Sequence, residues 1–492
     1  MIRSHRCYCI LCALLGLALA WLMLGHAPAA HAKGQVSFIK DVAPILKENC
    51  FACHDAKKKK GKLDMTTYEN LRKGGTQDDP IEPGKSKSST LYDVLVTKGP
   101  NRMPPKDLGD ALPKDKIDII AKWIDQGAKL DQGLDAKADL MRELRVRFTP
   151  PKPFAAYAKP VIVNSLVFTP DGKKLVVGGY HELTIWDANT GKLERRIFTR
   201  AERAWNMLFL PDGKLVVAGT RPGQEGDVRI YDINAGKATP HGGVPSVDGV
   251  NDKAVLIREL VQTDDAIHGL ALSADGKKLA AGGTDRILRV WDTGSWKIEH
   301  QIENHADWIF GLAFSPDGKL VASASRDKTA KVWDLTAKES LLTFPDHQNP
   351  VQAVVFAPDG KTGISVGDDN SVRIFQVADQ KTLGKQVKAM AGHTKQVFRI
   401  VSAGQAKTPI VATASADGTV KTWDPVAGAA LKSMGGFTDF VLCVALSPDG
   451  SLVAGGSYNG EVRVFKTADA SLVTSFNASP GYTAPKTTEV KK

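Results

Sequence analysis

Cys50-Phe51-Ala52-Cys53-His54 puts two thiols and an imidazole within five consecutive residues. This C-x-x-C-H spacing is the attachment signal for c-type haem. Two thiols add to the two vinyl groups on one porphyrin edge, and the next residue sets an imidazole beneath the iron as proximal ligand. One covalent haem c is therefore expected, held by Cys50 and Cys53 and ligated by His54. A structural zinc site needs four ligands. Between Lys33 and Pro150 the only Cys or His residues are Cys50, Cys53 and His54, one short. A thioredoxin-like dithiol wants a βαβ setting, whereas the flanks here are helical.

A six-coordinate iron needs a distal ligand. With no second histidine in this stretch, Met65, Met103 and Met141 are the thioethers available. Met103 lies in Asn101-Arg102-Met103-Pro104-Pro105. Prolines hold that loop extended, free of a helix competing for the backbone. Met103 is the expected distal ligand, and Met/His ligation raises the potential and suits electron transfer. Beside the motif crowd Lys57, Lys58, Lys59, Lys60 and Lys62. They read as a docking patch for an acidic redox partner protein, or as a solvated basic loop.

Helices must position these groups. Phe38, Ile39, Val42, Ile45 and Leu46 recur at helical spacing just before the motif, with Asp41 as the expected cap and Pro44 in the first turn. Ile117, Ile120, Ala121 and Ile124 mark a second amphipathic helix, with Pro113 near its start and Gly127 at its end. Residues 36–130 resemble the planctomycete-type cytochrome C domain family. The shared features run from the haem motif and the lysines through Gly61-Lys62-Leu63-Asp64, Lys73-Gly74-Gly75 and Pro83-Gly84. They continue with Ser89-x-Leu91-Tyr92, Met103-Pro104-Pro105 and a last helix containing Trp123. Asp55 departs from the glycine common after the histidine, which should perturb the turn and spare the ligation. The resemblance implies a small all-α, class I-like fold, haem binding and electron transfer; it names no partner.

Haem attachment occurs outside the cytoplasm, and the N-terminus agrees. Arg3, His5 and Arg6 precede an apolar run of 18 residues from Cys7 to Leu24, and Ala30-His31-Ala32 is a small-x-small cleavage signature. Residues 1–32 are expected to be a cleaved signal peptide and the protein periplasmic or otherwise exported. A membrane contact is expected only if the segment stays as an anchor. Of six cysteines three lie in that segment, which excludes a disulfide scaffold. The net charge is +11, but nucleic acid is a poor partner for an exported protein. With 492 residues, 42% apolar and 24% charged, the chain should hold two or three globular domains.

The expected order is a cytochrome domain over 33–130, a linker over 131–160 broken by Pro150, Pro151, Pro153 and Pro160, and a repeating region over 161–477. A disordered tail over 478–492 follows. Trp186-Asp187, Trp291-Asp292, Trp333-Asp334 and Trp423-Asp424 recur, with Tyr231-Asp232, Phe375-Gln376 and Phe465-Lys466 as degenerate copies. Successive endings are 45, 60, 42, 42, 48 and 42 residues apart. Upstream Asp-Gly turns accompany all but the sixth unit. This period resembles WD repeats, and seven copies imply a closed seven-bladed β-propeller. The 60-residue gap places an insertion, about Pro240 to Asp265, in long loops on the second blade.

Most polar residues singled out in the repeats are structural by resemblance. His305, Ser323, Asp327 and Trp333 look like the buried tetrad of WD repeats, as do His393, Thr413 or Ser415, Asp417 and Trp423. Cys443 reads as a core thiol. Trp205, His268, Trp308, Phe310, Phe398 and Phe440 fall on the alternate face of the inner strands, toward the central channel and its mouth. They are a candidate partner face for other proteins. The function expected is single-electron transfer, with the propeller as docking scaffold and no catalytic residues. One alternative is a propeller redox enzyme with the cytochrome as electron outlet. Residues 161–492 carry no quinone-cofactor docking repeat, metal-spaced His cluster or nucleophile motif to support it. The other is a haem-based sensor, which needs an open distal site.

Overall fold

The computed structural model describes residues 34–483 except 77, 237–248, 252–254, 380 and 404–408. The expected signal segment and residues 484–492 of the expected tail lie outside the described residues. Two compact units divide between Phe148 and Thr149. No helix among the described residues is long and apolar enough to cross a membrane.

The first unit is helical. Ser37 rather than Asp41 caps the opening helix. Its Oγ accepts the Lys40 N–H, and the Asp41 carboxylate accepts the Ser37 N–H in return, a reciprocal pairing akin to a capping box. A π-helical turn, Phe38–Val42, runs into helix Ala43–Asn49, which delivers the chain to Cys50. Phe38, Val42 and Leu46 are buried against Trp123 and Ile124 of helix Lys114–Asp125. The Phe38 and Trp123 rings stack with centroids 5.1 Å apart, and the indole N–H donates to the Lys129 carbonyl. Burying each such side chain contributes roughly 2–3 kcal/mol. The expected linker starts later than its sequence suggests. Asp139 caps helix Leu140–Arg147 and Leu140 is buried in the helical core, so this unit extends to Phe148.

Glycine serves a packing need here. The Gly61 carbonyl accepts the Thr76 N–H, and a Cβ on Gly75 would lie 2.3 Å from that same oxygen. The lysine loop can therefore fold against Gly75 only because no side chain intervenes.

The second unit is seven antiparallel sheets, each built from four strands in sequence order around a closed circuit of inner strands. The first sheet holds Leu166–Phe168, Lys174–Gly178, Glu182–Asp187 and Leu193–Phe198. The seventh holds Val441–Leu446, Leu452–Ser457, Glu461–Lys466 and Leu472–Asn477. No strand is exchanged between them. Val163 N–H donates to the Ser457 carbonyl, Val161 N–H to Ser479 Oγ and Tyr157 N–H to the Pro480 carbonyl. Val163, Leu166, Cys443 and Val464 share one apolar cluster across that seam. Residues 478–480 are thus packed rather than part of a disordered tail.

The Pro-rich segment is pinned to the first sheet. Tyr157 Oη donates to Glu182, and Arg196 donates to Glu182 and to the Phe154 and Ala155 carbonyls. The insertion also differs from the expected loops on the second blade. Gly249–Asn251 pairs in parallel with Arg196 to Phe198, adding a fifth strand to the first sheet.

Candidate functional site

Backbone bonds wind the haem motif into one tight turn. The N–H groups of Cys53 and His54 both donate to the Cys50 carbonyl, at 3.1 and 3.0 Å. Both thiols are free and partly buried. Burial, with the neighbouring Cys53 second, pushes the Cys50 thiol up to about 12. Cys50 packs against the apolar cluster that contains Leu46, Phe51, Met65 and Leu95. His54 Nδ1 is buried and has no hydrogen-bond partner. Two free thiols, an orphaned imidazole nitrogen and an apolar bed on one turn are a donor set that fits a covalently attached haem.

The three methionines separate by environment. Met65 is buried in the core, 3% exposed, and Met141 packs against it. Met103 is 37% exposed on the loop after helix Thr90–Val96, its N–H bonded to the Val94 carbonyl. Met103 alone of the three keeps a thioether outside the core; it sits on a different loop from the Cys50–His54 turn.

The lysine loop is more structured than a solvated run. Asp55 does not disturb the turn: its carboxylate accepts the Lys57 and Lys58 N–H groups. The bond from Lys58 leads the interactions that hold that carboxyl below its usual range. Lys58 Nζ donates to the Ala52 carbonyl, inside the haem motif, at 2.7 Å. Lys59 Nζ lies 3.6 Å from the buried carboxylate of Asp64. Lys57, Lys60 and Lys62 are exposed, as are the other two.

In the propeller, the expected tetrads form. His305 bonds Asp327 and Ser323, both at 2.7 Å, and the Trp333 indole donates to Ser323 at 3.1 Å. His393 bonds Asp417 at 2.8 Å and Thr413 at 2.7 Å, and the Trp423 indole donates to Thr413, which settles the choice against Ser415. A third set, His347, Ser365 and Asp369, was not singled out in the sequence. Phe375 stands where the others have tryptophan, but the His-to-Ser and His-to-Asp spacings match those of His305. Burial alone would raise Asp327, Asp369 and Asp417; the bonds from their histidines and neighbours outweigh it and hold each carboxyl low. Cys443 is buried, bonded to the Val163 carbonyl, and its thiol is pushed up to about 12 by burial.

Four candidate face residues come together. The Trp205 and His268 rings lie 5.0 Å apart, and His268 is 5.4 Å from Phe310 and 6.1 Å from Trp308. The pairing register slips at Trp205, His268, Phe310 and Phe398 of the inner strands Arg203–Phe209, Ile267–Leu272, Ile309–Phe314 and Val397–Ser402. Such bulges re-aim side chains. Phe440 is separate, 44% exposed beneath Lys395, and Phe398 is partly buried. The expected exposed aromatic face is in fact mostly half-buried; Arg326 lies over Trp308 at 4.7 Å.

The axis also holds a residue that sequence reasoning missed. Arg399 reaches from the sixth sheet across the channel, donating to the Trp205 carbonyl at 2.8 Å and the Phe310 carbonyl at 3.3 Å. It lines an axial cavity of about 300 Å³.

The Planctomycete cytochrome C profile matches residues 50–107. The WD domain, G-beta repeat profile matches 255–292, 296–334, 338–376, 384–424 and 428–466, each taking the outer strand of one sheet and the three inner strands of the next, from the second sheet to the seventh. The U3 small nucleolar RNA-associated protein 12 of Saccharomyces cerevisiae is 29% identical over 140 residues, 28% of this chain and 12% of the yeast protein. Protein groucho of Drosophila melanogaster is 24% identical over 146 residues, 29% of this chain and 17% of the fly protein. The chain spans less than a fifth of the length of either relative.

Proposed function

We propose that this chain, which joins a planctomycete cytochrome C domain to a seven-bladed WD-repeat propeller, is an exported, periplasmic single-electron carrier whose propeller docks partner proteins. The observation that carries this reading is the single turn bearing two free thiols and an imidazole with an orphaned, buried nitrogen. A haem c held there supplies one-electron transfer. Cys50 and Cys53 would anchor it through thioethers, and His54 and Met103 would be its iron ligands. The apolar bed of Leu46, Phe51 and Leu95, against which Cys50 packs, would keep water from the group and tune its potential. The exposed lysines beside the turn steer an acidic redox partner toward it. WD repeats support protein–protein interaction, and the half-buried Trp205, His268, Trp308 and Phe310 cluster marks where a partner approaches the channel.

Two variants test the assignment. Haem-stained denaturing gels of exported protein should show a covalent signal that Cys50→Ala with Cys53→Ala abolishes. Met103→Ala should keep the stain and lower the midpoint potential by on the order of 100 mV. A stain retained without both cysteines, or a potential unmoved by Met103→Ala, contradicts the respective role.

A further inference from the structure

We propose that the axial cavity of the propeller binds a small organic monocarboxylate, anchored by the Arg399 guanidinium. The reading is independent of the haem site. Along the seven inner strands, the positions equivalent to Arg399 carry Ser165, Asn206, Gly269, Gly311, Ala353 and Cys443. Six small or neutral residues and one arginine meet at this level of the axis. The small neighbours leave room for the long side chain to cross to the second and fourth sheets.

The charge of Arg399 is not balanced. Among the described residues no carboxylate pairs with it; its two bonded partners are backbone carbonyls. Other buried arginines of this unit have counter-ions, such as Arg196 with Glu182 and Arg200 with Glu225. Dense protein around Arg399 pulls its guanidinium below the ordinary value. A desolvated cation without an anion is costly. A guanidinium has five donors in a planar fork that matches a carboxylate. Arg399 is partly exposed and lines the cavity; its two carbonyl bonds use two of the five guanidinium donors and leave the others for a ligand.

Two ring nitrogens on the inner strands have no partner among the described residues. Trp205 Nε1 and His268 Nε2 are buried without a hydrogen-bond partner. The indole N–H is a donor only, and Trp205 lines the same cavity. His268 is 8% exposed and its ring is 5.0 Å from that of Trp205. A carboxylate accepting from Arg399 and the Trp205 indole satisfies both. The rest of the wall is mixed, with Asn164, Ser165, Asn206 and Ser402 beside Leu166, Met207, Leu312 and Val354, so it accepts a short acid whose body is apolar or carries a polar group. A volume of about 300 Å³ is at the small end of ligand sites and limits that body to about a ring or a short chain.

The test is calorimetric titration of the full-length protein with sodium benzoate and sodium butyrate. Ionic strength is matched with sodium chloride, and benzyl alcohol is the uncharged control. Saturable binding of at least one acid is expected, about tenfold or more tighter than the alcohol. Arg399→Met should weaken it at least about tenfold, and Arg399→Lys should weaken it less. Trp205→Phe keeps an aromatic six-membered ring and removes the indole N–H; it should weaken binding severalfold while the propeller still unfolds cooperatively. No saturation by either acid up to about 10 mM, or an affinity that Arg399→Met leaves unchanged, overturns the proposal. Should Arg399→Met fail to fold, Trp205→Phe decides: an affinity equal to the parent's overturns it.

Discussion

His268 shows how much one side chain inherits from its surroundings. Burial first, and the positive charge of Arg399 second, lower its pKa to about 4, with Asp265 opposing them. An unfolded histidine titrates near about 6.5. Between these values the unfolded chain holds more protons than the folded one, so stability rises with pH across that window. His268→Phe should remove up to about 1.4 kcal/mol per pH unit of that slope. Urea unfolding of the propeller at stepped pH checks this; an unchanged slope between pH 4 and 6.5 contradicts it. Cys50, Cys53, His54 and the aromatics of the inner strands were all legible in the sequence, because motif spacing and period-two alternation are local. Arg399 was not. Its partner Trp205 is 194 residues away, and only ring closure brings the two together.

In the fourth, fifth and sixth sheets the His-Ser/Thr-Asp bonds tie a connecting loop to the strands behind it. His305→Ala would leave Ser323 and Asp327, both buried or nearly so, without their shared partner, while the Trp333 indole keeps its bond to Ser323. The expected cost is about 3 kcal/mol, read as a lower melting temperature of the propeller. A cost below about 0.5 kcal/mol would place the tetrad among neutral substitutions. Asp327 is held low in the folded protein. Its stabilisation is therefore complete above the ordinary carboxylate value near about 4 and fades as pH falls through the folded one. The Trp-Asp period located the sheets, and alternation located their buried faces. The third histidine set escaped because Phe375 replaces the tryptophan that flags it. The cap was misassigned because Ser37 and Asp41 both suit an N-terminus, and only the backbone bond shows which accepts from Lys40. Gly249–Asn251 joined the first sheet because an insertion pairs wherever an edge lies open, which no local pattern encodes.

Across the whole molecule, a net charge of +11 and the exposed Lys57, Lys60 and Lys62 predict electrostatic steering. Reduction by an acidic protein partner should slow by roughly tenfold as ionic strength rises from about 0.01 to about 0.15 M, as the screening length falls from about 30 to about 8 Å. A flat salt dependence in stopped-flow rates removes the docking role of the lysines. Two domains and a seven-sheet ring were readable from composition, motif and repeat count. The manner of closure was not, because backbone bonds such as Val163 to Ser457 join chain segments nearly 300 residues apart. The central claim is electron transfer through a haem held by Cys50 and Cys53 and ligated by His54 and Met103. It is tested most directly by the absorption spectrum of purified exported protein, oxidised and reduced, with and without carbon monoxide. The account predicts a low-spin spectrum with a methionine–iron charge-transfer band and no shift on adding carbon monoxide. A high-spin spectrum that shifts with carbon monoxide would contradict it and point to an open iron site.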